Sequence, residues 1–427
     1  MKVYLETYGC SANKSDSEIM LGLLKENGFE ITNKKEEADV LIINTCIVKT
    51  PTAKRMERRI RELSSLNRPL IVAGCMAKAE RERIEKISPK ASIVTPESIH
   101  KIVEAVKETI KGRKVVFDEN KIEKVNLPRV SFSKIISIIQ ISSGCLSACS
   151  FCETRLARGI LKSYSQASIV RRIEEDLKKG FKEFWITSQD NACYGFDIKT
   201  NIANLLENIV KIDGKFFVRV GMMNPYHLIK NRNILEKLVN VYKNEKIFKF
   251  VHLPLQSGSN KVLKDMNRNY TIEEFEEVVK LFRNEIPSIS IETDIIVGYP
   301  TERDEDFEKT LEALKRIKFD FVNISKFSPR PKTPAEKLKE LNPEIVKRRS
   351  KAAFELVRKI QFEINSKYVN KELEVFVDEK GKGKTFVGRT FNYKPVVIES
   401  EENLLGKIVN VEIIDAKSNY LIGKIKT

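Results

Sequence analysis

The stretch IISIIQISSGCLSACSFC, residues 135–152, places an apolar, strand-like run directly before three closely spaced cysteines. Cys145, Cys149 and Cys152 follow one another with the spacing C-x3-C-x2-C. Three soft thiolates on one tight loop suit a cubic 4Fe-4S cluster and leave one iron open to a small molecule. Zinc is the alternative, but it normally takes four ligands, and no further cysteine or histidine lies nearby in the sequence.

Six strand candidates alternate with helical segments from this stretch onward. They are residues 135–142, 183–188, 216–221, 249–253, 288–297 and 320–327. Right-handed crossovers wind such units into a barrel, so we predict an incomplete (βα)6 barrel over residues 134–366. Catalytic residues of such barrels lie at the carboxyl ends of the strands, which is where the cysteine loop falls.

Residues 1–112 alternate apolar strands with amphipathic helices, which predicts an open parallel α/β sheet. Three strand candidates, 3–8, 39–45 and 69–74, lead directly to Cys10, Cys46 and Cys75. A free cysteine is usually a small buried hydrophobe. Because the carboxyl ends of parallel strands share one edge, three matching placements instead favour a common thiol site. The run Ser15-Asp16-Ser17-Glu18 is typical of a capping box, and it predicts a helix start there.

The segments outside the predicted N-terminal sheet and the predicted barrel strands differ from them in composition. Residues 113–133 are polar and are predicted to be a linker, and residues 343–368 form a helix with the basic cluster 347–351. Residues 367–427 read as five short strands of a small antiparallel β-barrel. The 381–384 turn (GKGK) and the side chains of Arg389, Asn392, Tyr393 and Lys394 combine cations with aromatic groups, as single-strand RNA surfaces do.

The composition limits the class of protein. The chain has 427 residues, 41% of them hydrophobic, and its 76 Lys and Arg against 59 Asp and Glu give a net charge of +17. An excess of positive charge favours a polyanionic partner. The alternative is that the chain is a thermophile protein, since such proteins are rich in charged residues. No run reaches the ~18 apolar residues of a membrane span, and the N-terminus lacks a secretory signal. We expect a cytoplasmic protein without a disulfide scaffold, since its seven cysteines are odd in number.

The cysteine loop after the first strand of an incomplete barrel resembles the radical S-adenosylmethionine (SAM) superfamily. That resemblance implies that Cys145, Cys149 and Cys152 hold a 4Fe-4S cluster, on which SAM is cleaved to a 5′-deoxyadenosyl radical. The whole chain further resembles the methylthiotransferase family, which ends in a TRAM barrel at 367–427. The matching segments are 6–18 (ETYGCSANKSDSE), 44–49 (NTCIVK), 73–77 (AGCMA), 144–159 (GCLSACSFCETRLARG), 252–271 (HLPLQSGSNKVLKDMNRNYT) and 293–302 (TDIIVGYPTE). The resemblance implies a second 4Fe-4S cluster on Cys10, Cys46 and Cys75.

The local motifs favour one substrate branch of that family. Residues 152–159, 187–190 (TSQD), 219–228 (RVGMMNPYHL) and 388–398 (GRTFNYKPVVI) look like the archaeal and eukaryotic branch that methylthiolates carbon 2 of threonylcarbamoyl-adenosine in tRNA. Isopentenyl-adenosine in tRNA, a ribosomal-protein aspartate, and a non-catalytic iron–sulfur RNA-binding or redox protein remain alternatives. The implied partners are the tRNA anticodon arm, an electron donor and a sulfur donor, and we expect a monomer. Ser147-Ala148 and Cys193 depart from the pattern, and Cys193 is predicted to be a free thiol near the barrel mouth.

The SAM contacts are predicted from their positions at strand ends. Phe151 lies inside the cysteine loop, and Ser188, Gln189 and Asp190 follow the second strand, where they can accept from the methionine amino group. Gln256 and Ser257 follow the fourth strand and can reach the ribose. Asp294 and the turn 298–300 are placed at the adenine pocket. Ordinary loop capping is the alternative for these polar side chains, and His252 is predicted to be a packing histidine.

Overall fold

The computed structural model describes residues 1–119 and 122–426. The first part is a six-stranded sheet in the order β2-β1-β3-β4-β5-β6, in which every neighbouring pair is parallel. Its strands are β1 Lys2–Thr7, β2 Glu30–Thr32, β3 Val40–Thr45, β4 Leu70–Gly74, β5 Ser92–Val94 and β6 Val116–Phe117. Its helices are α1 Ser11–Glu26, α2 Thr50–Ser64, α3 Cys75–Ala79, α4 Arg81–Ile87 and α5 Ile102–Ile110. The predicted open parallel sheet is confirmed.

The strand order reverses between β1 and β3. The chain passes from β1 outward to β2 on one side and then returns to build β3, β4, β5 and β6 on the other side. Open α/β sheets bind ligands outside the carboxyl ends of the strands at such a reversal. Strands β1, β3 and β4 are neighbours, so the loops that follow them, with Cys10, Cys46 and Cys75, lie at that edge.

Helix α1 begins earlier than the sequence indicated. Its N-cap is Cys10, and the predicted capping residues Ser15 and Glu18 lie inside the helix with their side chains buried. The capping-box prediction was therefore wrong, because these polar residues face the interior of the protein rather than a helix end. The carboxylate of Glu18 instead accepts a hydrogen bond from the Phe132 backbone at 3.0 Å.

The predicted linker 113–133 is built into the folded first part of the chain. It contributes strand β6, which pairs with β5 at the sheet edge. It also carries Lys124, whose side chain is buried at 2% exposure. Arg129, farther along the segment, packs closely against α1, because a Cβ at Gly22 of that helix would lie 2.4 Å from the Arg129 backbone. Parts of this segment thus pack onto the first sheet and α1, although most of its described side chains are exposed or half-buried.

The central part contains the six predicted barrel strands, each within its predicted range. The six barrel strands are β7 Ile136–Gln140, β10 Glu183–Thr187, β11 Phe217–Val220, β12 Phe250–His252, β13 Ser290–Val297 and β14 Phe321–Lys326. Two further short strands, β8 Ser142–Ser143 and β9 Lys162–Ser163, lie between β7 and β10 in the chain. The helices are α6 Thr154–Arg158, α7 Gln166–Lys178, α8 Ile202–Val210, α9 Pro225–Ile229, α10 Arg232–Val241, α11 Asn260–Asp265, α12 Ile272–Glu285 and α13 Asp304–Ile317. Short 3-10 turns occur at Lys35–Glu37, Ile99–Lys101, Asn191–Cys193, Phe196–Ile198 and Pro334–Lys337.

The barrel is built from two parallel three-stranded sheets, β11-β10-β7 and β12-β13-β14. A parallel bridge between Val218 and Ile247 joins them, while β7 and β14 form the two free edges. The small pair β8 and β9 is antiparallel and borders the cysteine loop. The incomplete barrel predicted from the sequence is confirmed.

The last part consists of helix α14, Pro343–Ser366, and a closed barrel in the order β15-β16-β17-β19-β18. The strands are β15 Glu372–Lys380, β16 Thr385–Thr390, β17 Pro395–Glu399, β18 Ile408–Ala416 and β19 Leu421–Ile425. All neighbouring pairs are antiparallel except β17 and β19. The predicted small antiparallel barrel is confirmed apart from this one parallel pair, since an odd number of strands in a ring cannot alternate direction throughout. None of the described helices is both long and apolar enough to cross a bilayer.

Most of the predicted RNA-contacting side chains of this barrel are internal. Lys394 is fully buried, with its ammonium 2.8 Å from an Asp320 carboxylate oxygen at the base of the central barrel. The Tyr393 hydroxyl donates to Glu183 at 3.0 Å, and Arg389 donates to Asp378 at 3.0 Å. Asn392 is half-buried and donates to the Tyr368 hydroxyl. These residues join the two barrels or brace the small one, whereas Lys382 and Lys384 of the 381–384 turn are exposed.

Candidate active site

The first cysteine triad, Cys10, Cys46 and Cys75, lies at the carboxyl edge of the first sheet. Cys10 is exposed, whereas Cys46 and Cys75 are 5% and 6% exposed. The buried amide of Asn13 ties their loops together. Its nitrogen donates to the Tyr8 and Thr45 carbonyls, each at 2.8 Å, and its oxygen accepts from the Cys75 thiol at 3.5 Å.

A glycine permits the close approach of these loops. Gly9 has a φ of +110°, and a Cβ there would lie 2.9 Å from Cys46 Cβ and 2.8 Å from Asn13 Nδ2. An L side chain would be both strained and in collision at this position. The turn that carries Cys10 can therefore pack against Cys46 only with glycine before the cysteine.

A buried ionic group lies against the first triad. The Arg158 guanidinium contacts Asp16 at 2.7 Å and donates to Asn13 Oδ1 at 2.6 Å, and Lys124 contacts the other oxygen of Asp16 at 2.5 Å. All three charged side chains are at most 2% exposed. Two cations thus face one carboxylate, although burial lowers the pKa of Lys124. Buried charge is costly without a counter-ion, so an anionic group is expected beside Arg158.

The thiols of the first triad can supply that negative charge. Burial raises the pKa of Cys75 to about 11, while the charge of Arg158 acts in the opposite direction. Burial also raises the pKa of Cys46, again opposed in part by Arg158. Metal binding removes the thiol protons, and the resulting thiolates would then compensate the guanidinium. The donor set and its surroundings therefore fit a thiolate-bound metal group.

The spacing of the thiols bears on the kind of metal. Neither triad brings its three sulfur atoms within 4.8 Å of one another. A tetrahedral zinc ion with Zn–S bonds of about 2.3 Å would hold its sulfurs about 3.8 Å apart. Neither triad therefore has the sulfur spacing of a tetrahedral zinc site.

The second cysteine triad lies on the loop after β8, as predicted. The thiol of Cys149 accepts a hydrogen bond from Arg268 Nη1 at 3.2 Å, and the Cys145 thiol accepts from the Ser147 backbone at 3.3 Å. Arg268 is 5% exposed and is fixed by the Pro254 carbonyl and the Asn224 amide. Burial raises the pKa of Cys152 to about 11, and the neighbouring Cys149 adds to the rise. A buried guanidinium thus faces this triad as well.

Cys193 lies behind the second triad. It is a free thiol, as predicted, but it is fully buried rather than placed at the barrel mouth. It donates to the Asp190 carbonyl at 3.3 Å. The sulfur atoms of Cys193 and Cys145 and a carboxylate oxygen of Asp190 lie within 4.8 Å of one another. The prediction that Cys193 is not a ligand stays a prediction.

The side chains that follow the second barrel strand contact neighbouring loops as well as their own. Gln189 Oε1 accepts from the Gly144 backbone at 2.7 Å, directly before the first cysteine of the loop. Asp190 accepts from the Asn224 backbone at 2.9 Å, and Ser188 donates to Asn191 at 3.0 Å. One carboxylate oxygen of Asp190 has no hydrogen-bond partner among the described residues. These contacts support the cysteine loop, and SAM binding by the three residues stays a prediction.

The side chains that follow the fourth and fifth strands divide between a cavity and the loops. Gln256 and Asp294 line the cavity described below, together with Phe151. Ser257 is fully buried, and its hydroxyl lies 3.3 Å from that of Thr310. Tyr299 of the 298–300 turn is also buried, with its hydroxyl 2.9 Å from that of Ser150. The turn therefore supports the cysteine loop from behind rather than lining the cavity.

His252 is more than a packing residue. Its Nε2 lies 2.9 Å from an Asp294 carboxylate oxygen, and its Nδ1 lies 3.7 Å from Glu292. Burial alone would lower the pKa of His252, but the Asp294 hydrogen bond and the two carboxylate charges outweigh it and raise the pKa. The interpretation as a packing histidine was wrong, because both carboxylates face it from the neighbouring strand β13.

A cavity of about 230 Å³ lies between the second cysteine loop and the loop that follows Cys46. The loop after Cys46 contributes Val48 and Lys49, and the second cysteine loop contributes Phe151, Cys152, Glu153 and Thr154. The barrel strands and the segment after β14 complete the wall with Gln256, Asp294, Ile296, Ser325, Lys326, Phe327, Ser328 and Arg330. A group held in this space would contact Cys152 and the loop that follows Cys46.

A second buried ionic group ties the two cysteine loops together. The Arg330 guanidinium contacts Glu80, which ends α3 after Cys75, at 2.6 Å, and Glu153, next to Cys152, at 2.5 Å. Burial raises the pKa of Glu153 to about 7, while Arg330 acts in the opposite direction. Because all three side chains are almost fully buried, the contact fixes the loops relative to each other.

Four residues of the site were not predicted to be functional from the sequence: Asn13, Arg158, Arg268 and Arg330. Each of them makes a contact with a residue more than thirty positions away along the chain, and only folding brings such partners together. The segments 6–18, 144–159 and 252–271 that carry the family resemblance do contain the first three of them. A signal for their positions was therefore present, but not a signal for their roles.

Comparison with known proteins agrees with this architecture. Residues 2–96 match Uncharacterized protein family UPF0004, residues 139–314 match the Radical SAM superfamily, and residues 366–426 match the TRAM domain. Among solved structures, the radical S-adenosylmethionine methyltransferase TsrM from Kitasatospora setae has a TM-score of 0.56 at 16% identity, covering 78% of this chain and 77% of that chain. At that identity the likeness is one of fold alone. The fold and the cysteine loop define the chain as a radical SAM protein.

Relatives that match the full length of this chain show to which family of radical SAM proteins it belongs. A probable threonylcarbamoyladenosine tRNA methylthiotransferase of Pyrococcus horikoshii is 43% identical over 100% of both chains. A protein with the same description in Methanocaldococcus jannaschii is 41% identical over 100% of this chain and 97% of the other. The threonylcarbamoyladenosine tRNA methylthiotransferase of Xenopus laevis is 34% identical over 99% of this chain and 77% of its own length. The chain belongs to the threonylcarbamoyladenosine tRNA methylthiotransferase family.

Proposed function

We propose that this protein transfers a methylthio group to carbon 2 of N6-threonylcarbamoyladenosine, next to the anticodon of tRNA, by radical SAM chemistry. The observation that carries the proposal is the cavity lined by Cys152 of the second triad on one side and by Val48 and Lys49, which follow Cys46, on the other. A sulfur donor site and a radical-forming site must both reach one carbon atom. A shared cavity provides that arrangement.

The two triads hold one 4Fe-4S cluster each in this proposal. When bound, the cluster of the second triad supplies the electron that cleaves SAM, and the cluster of the first triad supplies the sulfur that is methylated and transferred. Support for the first cluster comes from the buried thiols of Cys46 and Cys75 and from the two buried cations, Arg158 and Lys124, that share the one carboxylate of Asp16 beside them. Two SAM molecules are consumed: one gives its methyl group to the sulfur, and the other gives the radical that removes the hydrogen from carbon 2. An external electron donor and a sulfur donor complete the reaction.

The protein side chains position the reacting groups. Arg268 directs Cys149 by donating to its sulfur, and Gln189 fixes the backbone at the start of the same loop. Phe151, Gln256 and Asp294 are proposed to hold SAM in the cavity, with the His252 contact keeping Asp294 ionised, since that hydrogen bond lowers the pKa of Asp294 against the effect of burial. Ser188, Asp190 and Ser257 act through the loops that they support.

The tRNA is proposed to lie along α14 and the small barrel. Lys347 and Arg348 of α14 are each 70% exposed, and Phe354 and Phe362 of the same helix are 54% and 51% exposed. Exposed cations bind phosphates, and exposed aromatic rings stack on unpaired bases. Arg349 of the same basic cluster is excluded from this role, because it is buried against Glu302 and Asp304.

Cysteine variants test the two roles separately. The reconstituted protein is incubated with SAM, a chemical reductant and an anticodon stem-loop RNA carrying threonylcarbamoyladenosine. Cys149→Ala is expected to abolish 5′-deoxyadenosine formation, whereas Cys46→Ala is expected to retain SAM cleavage and lose the methylthio product. Cys193→Ala, which leaves both triads intact, is the matched control and is expected to retain both.

The outcomes also separate the alternatives. Methylthiolation of an isopentenyl-adenosine RNA or of a ribosomal-protein peptide instead of the threonylcarbamoyl RNA would replace the proposed substrate. RNA binding without product from any of the three would leave a non-catalytic iron–sulfur protein. Full activity of Cys46→Ala would refute the role of the first triad.

A further inference from the structure

Two exposed lysines, Lys49 and Lys326, line the cavity. The cavity is lined by the cations Lys49, Lys326 and Arg330 and by the anions Glu153 and Asp294. Arg330 is paired with Glu153 and Glu80, and Asp294 is paired with His252. Neither Lys49 nor Lys326 forms an ion pair with a described residue, although Lys49 is near enough to Asp294 to lower the pKa of that carboxyl. Both ammonium groups are therefore free to bind an anion that enters the cavity.

The proposed substrate brings an anion into this space. The threonylcarbamoyl group on N6 of the adenine ends in a carboxylate, which is ionised near neutral pH because carboxylic acids of this kind have pKa values of about 3.5. Placing that carboxylate between the two cysteine loops without a partner would be costly. Charge-assisted hydrogen bonds from an ammonium remove this cost.

We propose that Lys49 and Lys326 bind the carboxylate of the threonylcarbamoyl group and thereby select this nucleoside over isopentenyl-adenosine. The inference rests on the proposed function and adds the specificity-determining residues. Lys49 comes from the loop after Cys46, and Lys326 ends strand β14 of the barrel, so the substrate would be held from both parts of the protein. An isopentenyl group would leave both ammonium groups facing a hydrocarbon.

The carboxylate of SAM is a competing ligand for these lysines, and the test separates the two. Two anticodon stem-loop RNAs are compared, one with threonylcarbamoyladenosine and one with its carboxamide, which has the same shape without the charge. For the reconstituted wild-type protein, kcat/KM for methylthiolation is expected to favour the acid by about tenfold or more, the value of one charge-assisted contact.

The lysine variants should remove that preference. In Lys326→Met and Lys49→Met the ratio of the two kcat/KM values is expected to fall toward one, whereas Lys326→Arg should retain most of it. SAM cleavage without RNA, and its KM for SAM, should remain within about twofold of wild type. Lys90→Met, an exposed lysine outside the cavity, is the matched control and should keep the wild-type ratio.

Three results would count against the inference or its premise. An unchanged acid preference in both methionine variants would overturn the role of the lysines. A raised KM for SAM together with an intact acid preference would assign the two lysines to SAM binding and would also overturn the inference. No turnover of the threonylcarbamoyl RNA by the wild type, with turnover of an isopentenyl RNA, would instead refute the proposed function.

Discussion

The Arg158 side chain is 1% exposed. It lies beside three thiols that must lose their protons to bind a metal. It belongs to the barrel, in the short helix after Cys152, yet its guanidinium contacts Asp16 and Asn13 of the first sheet. A positive charge held in a poorly solvated place stabilises added negative charge strongly. Arg158 should therefore favour the reduced form of the cluster that we propose for the first triad.

Replacing Arg158 should lower the reduction potential of that cluster. In the Cys149→Ala background only the first triad can hold a cluster, so one EPR-monitored redox titration reports on it. Arg158→Met is expected to shift the midpoint to a lower potential and to reduce the iron content, while Arg158→Lys retains the charge and stays closer to wild type. Arg172→Met, which removes another buried guanidinium paired with a carboxylate, is the control. An equal shift in the control, or none in Arg158→Met, would contradict this role.

The sequence revealed the cysteines but not the residues around them. Cys10, Cys46 and Cys75 could be predicted because each follows an apolar strand, and that pattern is local. Asn13 and Arg158 could not, since their contact joins residues 145 positions apart. His252 was misjudged for the same reason, because its partner carboxylates lie on a strand forty residues farther along the chain.

Helix α1 shows how a pattern within an element can mislead. Ser15 and Glu18 have the spacing of a capping box, but the helix begins at Ser11 and turns both side chains inward. Burial raises the pKa of Glu18 to about 7, partly opposed by the hydrogen bond from Phe132. The raised pKa means that the folded protein binds a proton that the unfolded chain releases near pH 4.5. The contribution of Glu18 to stability is thus fully present below pH 4.5 and is lost as pH rises through about 7.

Glu18→Gln should remove the loss of folding stability that Glu18 causes as the pH rises. The variant is expected to be more stable than wild type by about 1–3 kcal/mol at pH 8 and nearly equal to it at pH 4.5, since glutamine still accepts from Phe132 and needs no charge. Thermal unfolding of the apoprotein at several pH values measures the difference in Tm. Glu26→Gln, an exposed glutamate of the same helix, should show no such trend. A constant difference across pH would contradict the account.

The small barrel shows the limit of composition as a guide. Arg389, Tyr393 and Lys394 have the residue types of an RNA surface, but they are buried between the barrels or against them, and only the packing decides this. The five strands themselves were predictable, because alternation and turn residues are local signals. The exposed turn with Lys382 and Lys384 remains the candidate contact of this barrel.

The charge of the whole molecule gives the next test. With a net charge of +17, tRNA binding should weaken steeply with salt, since each phosphate contact releases counterions. Replacing Lys382 and Lys384 together by alanine should lower the affinity for tRNA and reduce the slope of log K against log salt by about 1–2. The pair Lys86 and Lys90, exposed on the first part of the chain, serves as the control. An unchanged slope in the turn variant would exclude the turn from the interface.

At the scale of the whole molecule, the account requires two cysteine triads and one tRNA-bound nucleoside to meet in a single cavity. Nucleoside mass spectrometry of bulk tRNA tests this most directly, in cells that lack the gene and carry either the wild-type chain, Cys46→Ala or Cys149→Ala. The methylthio form of threonylcarbamoyladenosine should be lost with the gene and restored by the wild type alone, with its unmethylthiolated precursor accumulating in both variants. Persistence of the methylthio nucleoside without the gene, or its restoration by either cysteine variant, would contradict the account.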